Sequence, residues 1–225
     1  QTLFVLMPGK LFAVALDLVT LQVTGSVDAP GPVGAGGRRL RLFVADGKAY
    51  TVNTFGFDVI DVSDRENLRM IQANVTQQGG WKQIIPTGTS LALAAVGLNS
   101  VDNGPHDISL YDLGADGLGT QFLTTLETPG IANAICLYDG LAYIADGQAG
   151  LEVVNYRAFD AGRNPPSISL TASFSLAPPQ AESAKPVYVT AHVSDDVQVR
   201  DVEFFVDGVS VGNDHNYPFE VYFKT

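Results

Sequence analysis

Short runs of apolar residues, separated by glycine-containing turns, recur along the whole chain. In the clearest example, residues 140–156, an apolar run and a Gly-rich turn precede a second run in which Leu151 and Val153 share one face while Glu152 points away. Residues 47–64 repeat this pattern, because Gly, Ala, Tyr, Gly and a closing apolar triplet recur there in the same order. No segment has the 3.6-residue period of an amphipathic helix, so the sequence predicts an all-β fold.

Two weaker versions of this unit complete a set of four repeats. The equivalent glycines are Gly9, Gly47, Gly88 and Gly140. Repeats of about 40–50 residues that are built from short strands and Gly turns predict the blades of a β-propeller. We place the repeats near residues 1–37, 38–80, 81–122 and 123–160, with up to four strands in each and residues 123–126 as an outer strand of the fourth.

The repeated unit resembles a known family. Its consensus here, Gly–x–Ala–Tyr–Val–Ala followed by Gly–Leu–x–Val–Val–Asp–Val–Ser, is similar to the LVIVD-repeat β-propeller of bacterial and archaeal surface proteins. The resemblance covers roughly residues 1–160, although the third repeat lacks the Ala–Tyr pair and Asn155–Tyr156 replace the expected Asp–Val in the fourth. It implies a scaffold or binding platform with no shared catalytic residues.

The pattern changes after a Gly- and Pro-containing linker at residues 161–166. Residues 167–225 alternate as short strands, with Asp207–Gly208 as a hairpin turn. The run Val–Glu–Phe–Phe–Val–Asp–Gly–Val–Ser–Val–Gly resembles a bacterial Ig-like domain of surface adhesins and secreted enzymes. Such a sandwich takes about 100 residues and seven strands, so we expect this one to lack its last strand.

We expect the propeller to be incomplete as well, because closed propellers have roughly 4–8 blades. The chain would then be an internal section of a longer polypeptide. The alternative is that another subunit supplies the missing strand of the sandwich by adding to a sheet edge.

Composition narrows the choice of partners. The 24 acidic and 13 basic residues give a formal net charge of −11, which argues against a nucleic-acid surface because phosphate contacts need clustered Lys and Arg. The apolar stretch 11–23 is too short to span a bilayer and contains Asp17. The single cysteine, Cys136, lies in the apolar run 131–137, where we expect it to be buried.

Candidate chemistry is sparse. The three histidines are scattered, whereas a zinc site needs three or four converging ligands, and no Gly-x-Ser-x-Gly nucleophile elbow is present. We therefore expect no enzymatic activity and no cofactor other than calcium. The candidate calcium ligands are Asp195, Asp196 and Asp201, with plain turn acids as the alternative. Trp81 is the candidate ligand or partner contact, with core packing as its alternative.

These observations favour a non-catalytic extracellular or cell-surface module. In this hypothesis the propeller is a platform, and the Ig-like domain is a spacer or stacking unit. Its partners are other protein chains or neighbouring domains of the same long chain. Two alternatives remain open: an accessory substrate-targeting region of a large secreted enzyme, and a filament subunit completed by strand exchange.

Overall fold

The structure, a computed structural model, describes residues 2–16, 20–29, 41–75, 79–97, 107–156, 162–176, 179–181 and 184–225. These residues form strands in several separate sheets, with one 3-10 helix, Gly147–Ala149. The prediction of an all-β fold is confirmed, and within the described residues the sheets do not close into a barrel. No helix among them has the length and apolar character needed to cross a membrane.

Four antiparallel sheets follow one another along the chain, and strands adjacent in sequence are neighbours in each sheet. The first sheet contains β1 (Thr2–Met7), β2 (Lys10–Leu16) and β3 (Leu21–Asp28). The second contains β4 (Leu42–Ala45), β5 (Lys48–Asn53), β6 (Gly56–Asp61) and β7 (Arg69–Val75). The third contains β8 (Trp81–Pro86), β9 (Leu91–Val96), β10 (Asp107–Asp112) and β11 (Gln121–Leu126). The fourth contains β12 (Ala134–Tyr138), β13 (Leu141–Ala145) and β14 (Leu151–Val154).

The sheets repeat one hydrogen-bonding arrangement. The N–H of Ala29, just after β3, donates to the carbonyl of Gly9 at 2.9 Å, and the N–H of Val62, just after β6, donates to Gly47 at 2.8 Å. In the third sheet Leu113 donates to Ser90 at 2.7 Å. The sequence repeat therefore corresponds to a repeated turn. In three of the sheets, the N–H of the residue after the third strand donates to a carbonyl in the turn between the first two strands.

One predicted strand belongs to a different sheet. We assigned residues 123–126 to the fourth repeat, but they lie in β11, which pairs with β10 in the third sheet. Leu126 pairs there with Ile108, so the outer strand closes its own meander before the chain enters the next sheet. The predicted repeat and linker boundaries near residues 37 and 160 lie outside the described residues.

Consecutive sheets pack face to face through three apolar clusters. In β9, alternate residues point to opposite neighbours: Ala92 and Ala94 pack toward the second sheet, whereas Leu91 and Leu93 pack toward the fourth. The first and second sheets meet through a cluster of their own, which contains Leu11, Ala13, Ala49, Ile60, Val62 and Leu68. Strand β9, which has a packed sheet on each side, is accordingly a continuous apolar run that is buried throughout.

The first and fourth sheets each have one apolar face on which several large side chains stay exposed among the described residues. Leu21 is 72% exposed in the first sheet, and Leu151 is 67% exposed in the fourth. Cys136 lies on the same exposed face of the fourth sheet, paired across from Tyr143. The prediction that Cys136 is buried was therefore wrong, because an apolar run does not reveal which of its two faces has a neighbour.

Residues 167–224 form the remaining sheets, which we call the C-terminal sandwich. Its core contains Val187, Val189, Ala191, Val202, Phe204 and Phe219. One sheet has the order β15 (Ser167–Ala172), β18 (Pro186–Ser194), β21 (Phe219–Lys224). The others are the pairs β16 (Ser175–Leu176) with β17 (Pro179–Gln180) and β19 (Val202–Val206) with β20 (Val209–Asp214).

Two carboxylates on β6 have opposite electrostatic environments. Asp58 is buried, and this burial raises its pKa, although the hydrogen bond from Asn53 partly opposes the effect. Asp61, at the end of the same strand, accepts bonds from the hydroxyl and N–H of Ser63, which lower its pKa, and Arg69 at 2.8 Å acts in the same direction. The two groups should therefore give the protein opposite dependences of stability on pH.

We predict that Asp58→Asn removes a loss of stability that occurs as the pH rises. Folded Asp58 holds its proton more tightly than the unfolded chain does, so the free energy of unfolding falls as the pH rises from about 3.8 through the folded pKa. The variant should be at least as stable as the wild type at pH 7. The measurement is chemical denaturation between about pH 4 and pH 7.

Asp61→Asn is the matched control. In the wild type, the interactions that lower the pKa of Asp61 stabilise the folded state above about pH 3.8. This contribution is lost as the pH falls through the folded pKa of Asp61. The control variant should therefore lose stability at pH 7. Equal losses at pH 7 for Asp58→Asn and Asp61→Asn would contradict this account.

Candidate functional site at the junction of the sheets and the sandwich

Two Asp–Gly turns bring the sheets against the C-terminal sandwich. Asp46 and Gly47 join β4 to β5 with φ values of 47° and 69°, and Asp139 and Gly140 join β12 to β13 with φ values of 53° and 74°. Positive φ at both central residues is the type I′ hairpin turn, which favours Asp–Gly because Asp and Gly tolerate the left-handed region. Each turn therefore presents an aspartate carboxylate at the end of its hairpin.

Asp46 is the first contact point. Nδ1 of His192 lies 2.8 Å from its Oδ1, and the hydroxyl of Tyr217 donates to its Oδ2 at 2.6 Å. Burial raises the pKa of Tyr217, and the hydrogen bond to Asp46 acts in the same direction. The phenol therefore stays protonated and remains a donor. One carboxylate thus contacts two separate segments of the sandwich, since His192 lies in β18 and Tyr217 lies in the turn before β21.

The ring of Tyr217 is fixed by the second and third sheets together. It stacks on Phe43 with ring centroids 6.1 Å apart and an interplanar angle of 20°. It also covers the turn at Gly88, where a Cβ atom would lie only 2.5 Å from Cδ2 of Tyr217. Gly88 has a φ of +86°, so both its backbone conformation and the packing of this ring require glycine.

Asp139 is the second contact point. Nδ1 of His215 lies 3.3 Å from Oδ1 of Asp139, and Nε of Arg200 lies 3.0 Å from the same atom. The N–H of Asp139 donates to the carbonyl of His215 at 3.0 Å, and the His215 ring stacks on Tyr138 at 5.2 Å. This contact combines an ion pair, a backbone bond and ring stacking, so it fixes orientation as well as distance.

The relay Thr171–His192–Asp46 has the order of a hydrolase triad. Oγ1 of Thr171 lies 3.0 Å from Nε2 of His192, whose Nδ1 faces Asp46. Such a triad also needs a pocket that places a carbonyl on the hydroxyl and N–H groups that stabilise the oxyanion. An open cleft of about 790 Å³ lies along the same sheet face, but its lining combines Tyr188, Glu220 and their neighbours with Thr2, Leu16 and Arg65 and does not include Thr171. The contacts of His192 with Thr171 and Asp46 therefore link the C-terminal sandwich to the second sheet.

A smaller polar cleft of about 90 Å³ adjoins the Asp46 contact. Asp46, Lys48, Tyr50, Asp116 and Tyr217 are among its lining residues. Burial raises the pKa of Tyr50 to about 12, and the charges of Asp46 and Asp116 act in the same direction. Pockets that bind drug-sized ligands measure about 300–1,000 Å³, so this cleft is too small to enclose such a ligand.

The predicted calcium ligands are not assembled into one site. The Oδ1 atom of Asp195 accepts the N–H of Asp196 at 2.8 Å, and Asp196 also accepts from Asn164 at 3.2 Å. Asp201 faces Asn213 at 3.0 Å and Arg200 at 3.7 Å. Within the described residues, no group of three or more His, Cys, Asp and Glu side chains could hold a metal ion. Calcium binding at these aspartates stays a prediction that this geometry does not support.

Trp81 lies inside the protein. It is 3% exposed and packs between Phe57 at 5.7 Å and Tyr111 at 5.4 Å in the cluster that joins the second and third sheets. The structure therefore agrees with the alternative that Trp81 packs in the core, where almost none of its side chain is accessible to a ligand. His106 lies outside the described residues.

The junction was missed by sequence reasoning, which described the three histidines, among them His192 and His215, only as scattered. Their partners, Asp46 and Asp139, lie far away in the sequence, so no local spacing connects them. The available signal was the recurrence of Asp–Gly at equivalent turns of two repeats, which placed two carboxylates at the same end of two sheets.

Comparison with known proteins identifies the C-terminal part. Residues 166–225 match the family model of the bacterial Ig domain, and no curated protein sequence matches the chain. The structures similar to the chain include the N-terminal domain of Nup159 (11% identity, TM-score 0.40) and a complex of S. cerevisiae Dbp5 with Nup159, Gle1, IP6 and ADP (11% identity, TM-score 0.37). Each likeness covers 92% of this chain, which spans 64% of the other. At these TM-scores neither structure assigns a fold to the sheets.

The predicted Ig-like sandwich is thus confirmed for residues 166–225, which we now call the Ig-like domain. The LVIVD resemblance and the propeller stay predictions for the four sheets.

We predict that Gly88→Ala destabilises the junction more than Gly9→Ala does. Both glycines have positive φ, so each change costs about 1–2 kcal/mol from backbone strain. Only at Gly88 does the new Cβ also meet the ring of Tyr217, whereas nothing lies within 4 Å of one built at Gly9. Differential scanning calorimetry of both variants measures the difference. Equal losses would show that Tyr217 does not rest on this turn.

Proposed function

We propose that the chain is a non-catalytic scaffold module of an extracellular or surface-attached bacterial protein. The observation that carries this proposal is the attachment of the Ig-like domain to the turns of three successive sheets, through Asp46, Gly88 and Asp139. Domains in one chain move relative to each other unless their interface prevents it. Contacts at three turns would hold the two parts of this chain as one rigid unit.

In this proposal the four sheets are consecutive blades of a β-propeller. The support comes from four antiparallel meanders in chain order, the face-to-face packing of each sheet on the next, and the sequence resemblance to the LVIVD repeat. The turns that carry Asp46, Gly88 and Asp139 would then lie on one side of the propeller, and the Ig-like domain would be seated on that side.

The chemistry of the junction supports a structural role. Both carboxylate oxygens of Asp46 are engaged, and both ring nitrogens of His192 face polar partners, namely Asp46 and Thr171. The open cleft on the same sheet face is lined by residues other than Thr171, so it does not place a substrate on the Thr171 hydroxyl. The platform surface and the Ig-like domain would therefore contact other protein chains or neighbouring domains, and the polar junction would set the angle between them.

The first test is the rigidity of the unit. We predict that replacing both Asp46 and Asp139 by Ala releases the Ig-like domain, because each change removes an anchor of two or more polar contacts. Small-angle X-ray scattering on the eluting monomer peak should show an increased radius of gyration relative to the wild type.

Asp207→Ala is the matched control for that test. Asp207 also has positive φ, at 50°, and precedes a glycine in a hairpin turn, but its turn is exposed on the Ig-like domain. This control reproduces the backbone strain without touching the junction, so its radius of gyration should not change. An unchanged radius in the double variant would contradict a rigid unit held by the aspartates.

The second test addresses catalysis and location. We predict that the wild type and Thr171→Val hydrolyse p-nitrophenyl acetate at the same background rate, because the Thr171 hydroxyl serves the joint. Turnover that depends on Thr171 would favour an enzymatic role. Location is tested on intact cells that make the full protein. Either added protease should degrade the protein, or the protein should be found in the medium. A protease-protected intracellular pool would contradict the extracellular assignment.

A further inference from the structure

The open cleft of about 790 Å³ lies between the sheets and the Ig-like domain. One wall includes Leu16, at the end of β2, and Arg65, in the turn between β6 and β7. The other wall is formed by β18 and β21 of the Ig-like domain. Ligand pockets of about 300–1,000 Å³ occur preferentially where two domains meet, so both the volume and the position of this cleft are those of a binding site.

The Ig-like wall is a small patch of paired side chains. Tyr188 lies opposite Tyr222, and Thr190 lies opposite Glu220, across the ladder between β18 and β21. Side chains alternate between the two faces of a strand, so these four share the face that carries His192. The opposite face of the two strands lies in the core of the domain. The contact of His192 with the second sheet therefore turns this patch toward the sheets.

The two tyrosine rings are the largest side chains in the lining. They are 43% and 51% exposed for Tyr188 and Tyr222, and their centroids lie 4.8 Å apart with an interplanar angle of 48°. A tyrosine presents an apolar ring together with a polar hydroxyl. It also gives a large contact area at low entropic cost, because only two side-chain angles must be fixed. The pair is therefore suited to contact a ligand that is itself partly apolar and partly polar.

The polar side chains near these rings can bind hydroxyl groups. The Thr190 hydroxyl donates to Oε1 of Glu220 at 3.3 Å, and both Glu220 and Arg65 are exposed. A carboxylate accepts hydrogen bonds through two oxygens, and a guanidinium donates them from a planar fork. Each can therefore bind two neighbouring hydroxyl groups of one ligand. The charges of Glu220 and Arg65 are opposite, so the described lining has no net charge.

This combination favours a neutral sugar over other ligands. The faces of a sugar ring carry C–H groups that pack on aromatic rings, and its rim carries hydroxyl groups. An acidic glycan or a nucleic acid is disfavoured by the net charge of −11. An extended peptide that adds to a sheet needs an unpaired strand edge, but β18 is paired with β15 on one side and with β21 on the other.

We propose that the cleft binds a short neutral oligosaccharide of hexose units. Tyr188 and Tyr222 pack on the sugar rings, and Glu220 and Arg65 bind the hydroxyl groups from the two walls. This site gives the module an activity beyond a scaffold role, although it rests on the seat of the Ig-like domain because the walls belong to two parts of the chain.

Isothermal titration calorimetry of the intact chain with cellohexaose, mannohexaose and maltohexaose tests the proposal. At least one hexaose should bind with a dissociation constant of about 0.1–1 mM, because the cleft is open and uncharged. Tyr188→Ala and Tyr222→Ala should each weaken that binding by about tenfold or more. Tyr222→Phe keeps the ring and should bind nearly as well as the wild type. Arg65→Ala should weaken binding several-fold, because it removes the hydroxyl contact of the opposite wall.

Phe205→Ala is the matched control. Phe205 is 58% exposed on β19 of the same domain and is not part of the cleft lining. Deleting this exposed ring should leave the dissociation constant unchanged. Chemical denaturation of each variant verifies that it is folded before binding is compared.

The radius of gyration separates this proposal from the rigid unit. Tyr222→Ala should lose binding and keep the wild-type radius, since Tyr222 makes none of the anchoring contacts at Asp46 and Asp139. If the double Ala variant of those aspartates keeps the wild-type radius, the rigid unit is wrong, while Tyr222-dependent sugar binding would still support the site.

Three results would overturn the proposal. The first is the absence of saturable binding for all three hexaoses at about 5 mM. The second is binding that survives both Tyr188→Ala and Tyr222→Ala in folded protein. The third is binding of denatured casein, but of no hexaose, that depends on these tyrosines, because the cleft would then be a peptide site.

Discussion

Each of the four repeated sheets carries apolar side chains on both faces, and the burial of those faces is the constraint on which the rest of the structure depends. One neighbouring sheet cannot cover both apolar faces of a strand such as β9, so the second and fourth sheets lie on opposite sides of the third. Burial of apolar area contributes about 25 cal/mol per Å², which makes these face-to-face contacts the main stabilising term. The short turns between strands then all lie along the edges of the stack.

The position of those turns creates the junction. Asp46 and Asp139 lie at equivalent turns of the second and fourth sheets. The stacking of the sheets therefore brings both carboxylates into contact with the Ig-like domain. The residues of the Ig-like domain that contact these carboxylates come from different strands and loops and include His192, His215 and Tyr217. Partly exposed ion pairs contribute little energy by themselves. Ring stacking and the half-buried Tyr217 side chain therefore carry much of the attachment, and the charges fix its geometry.

The sequence allowed the all-β class, the repeats and the Ig-like domain to be predicted, because each depends on local patterns such as Gly turns and alternating apolar residues. It could not assign Trp81 or Cys136 correctly to one environment. Cys136 lies in an apolar run, and such a run does not show whether a neighbouring sheet covers a given face; Trp81 follows two glycines and precedes Lys82, neighbours that do not indicate burial. The junction was equally hidden, since the pairs Asp46 with His192 and Asp139 with His215 are formed only when distant segments pack together.

The measurement that tests the central claim most directly is the hydrogen-exchange rate of the Asp139 amide in the intact chain. This N–H donates to the carbonyl of His215, so it links the sheets to the Ig-like domain. The Asp207 amide, at the same position of an exposed hairpin turn, is the internal reference. The account predicts that Asp139 exchanges much more slowly than Asp207. Equal rates, after correction for the neighbouring residues, would show that the Ig-like domain is not held on the turns.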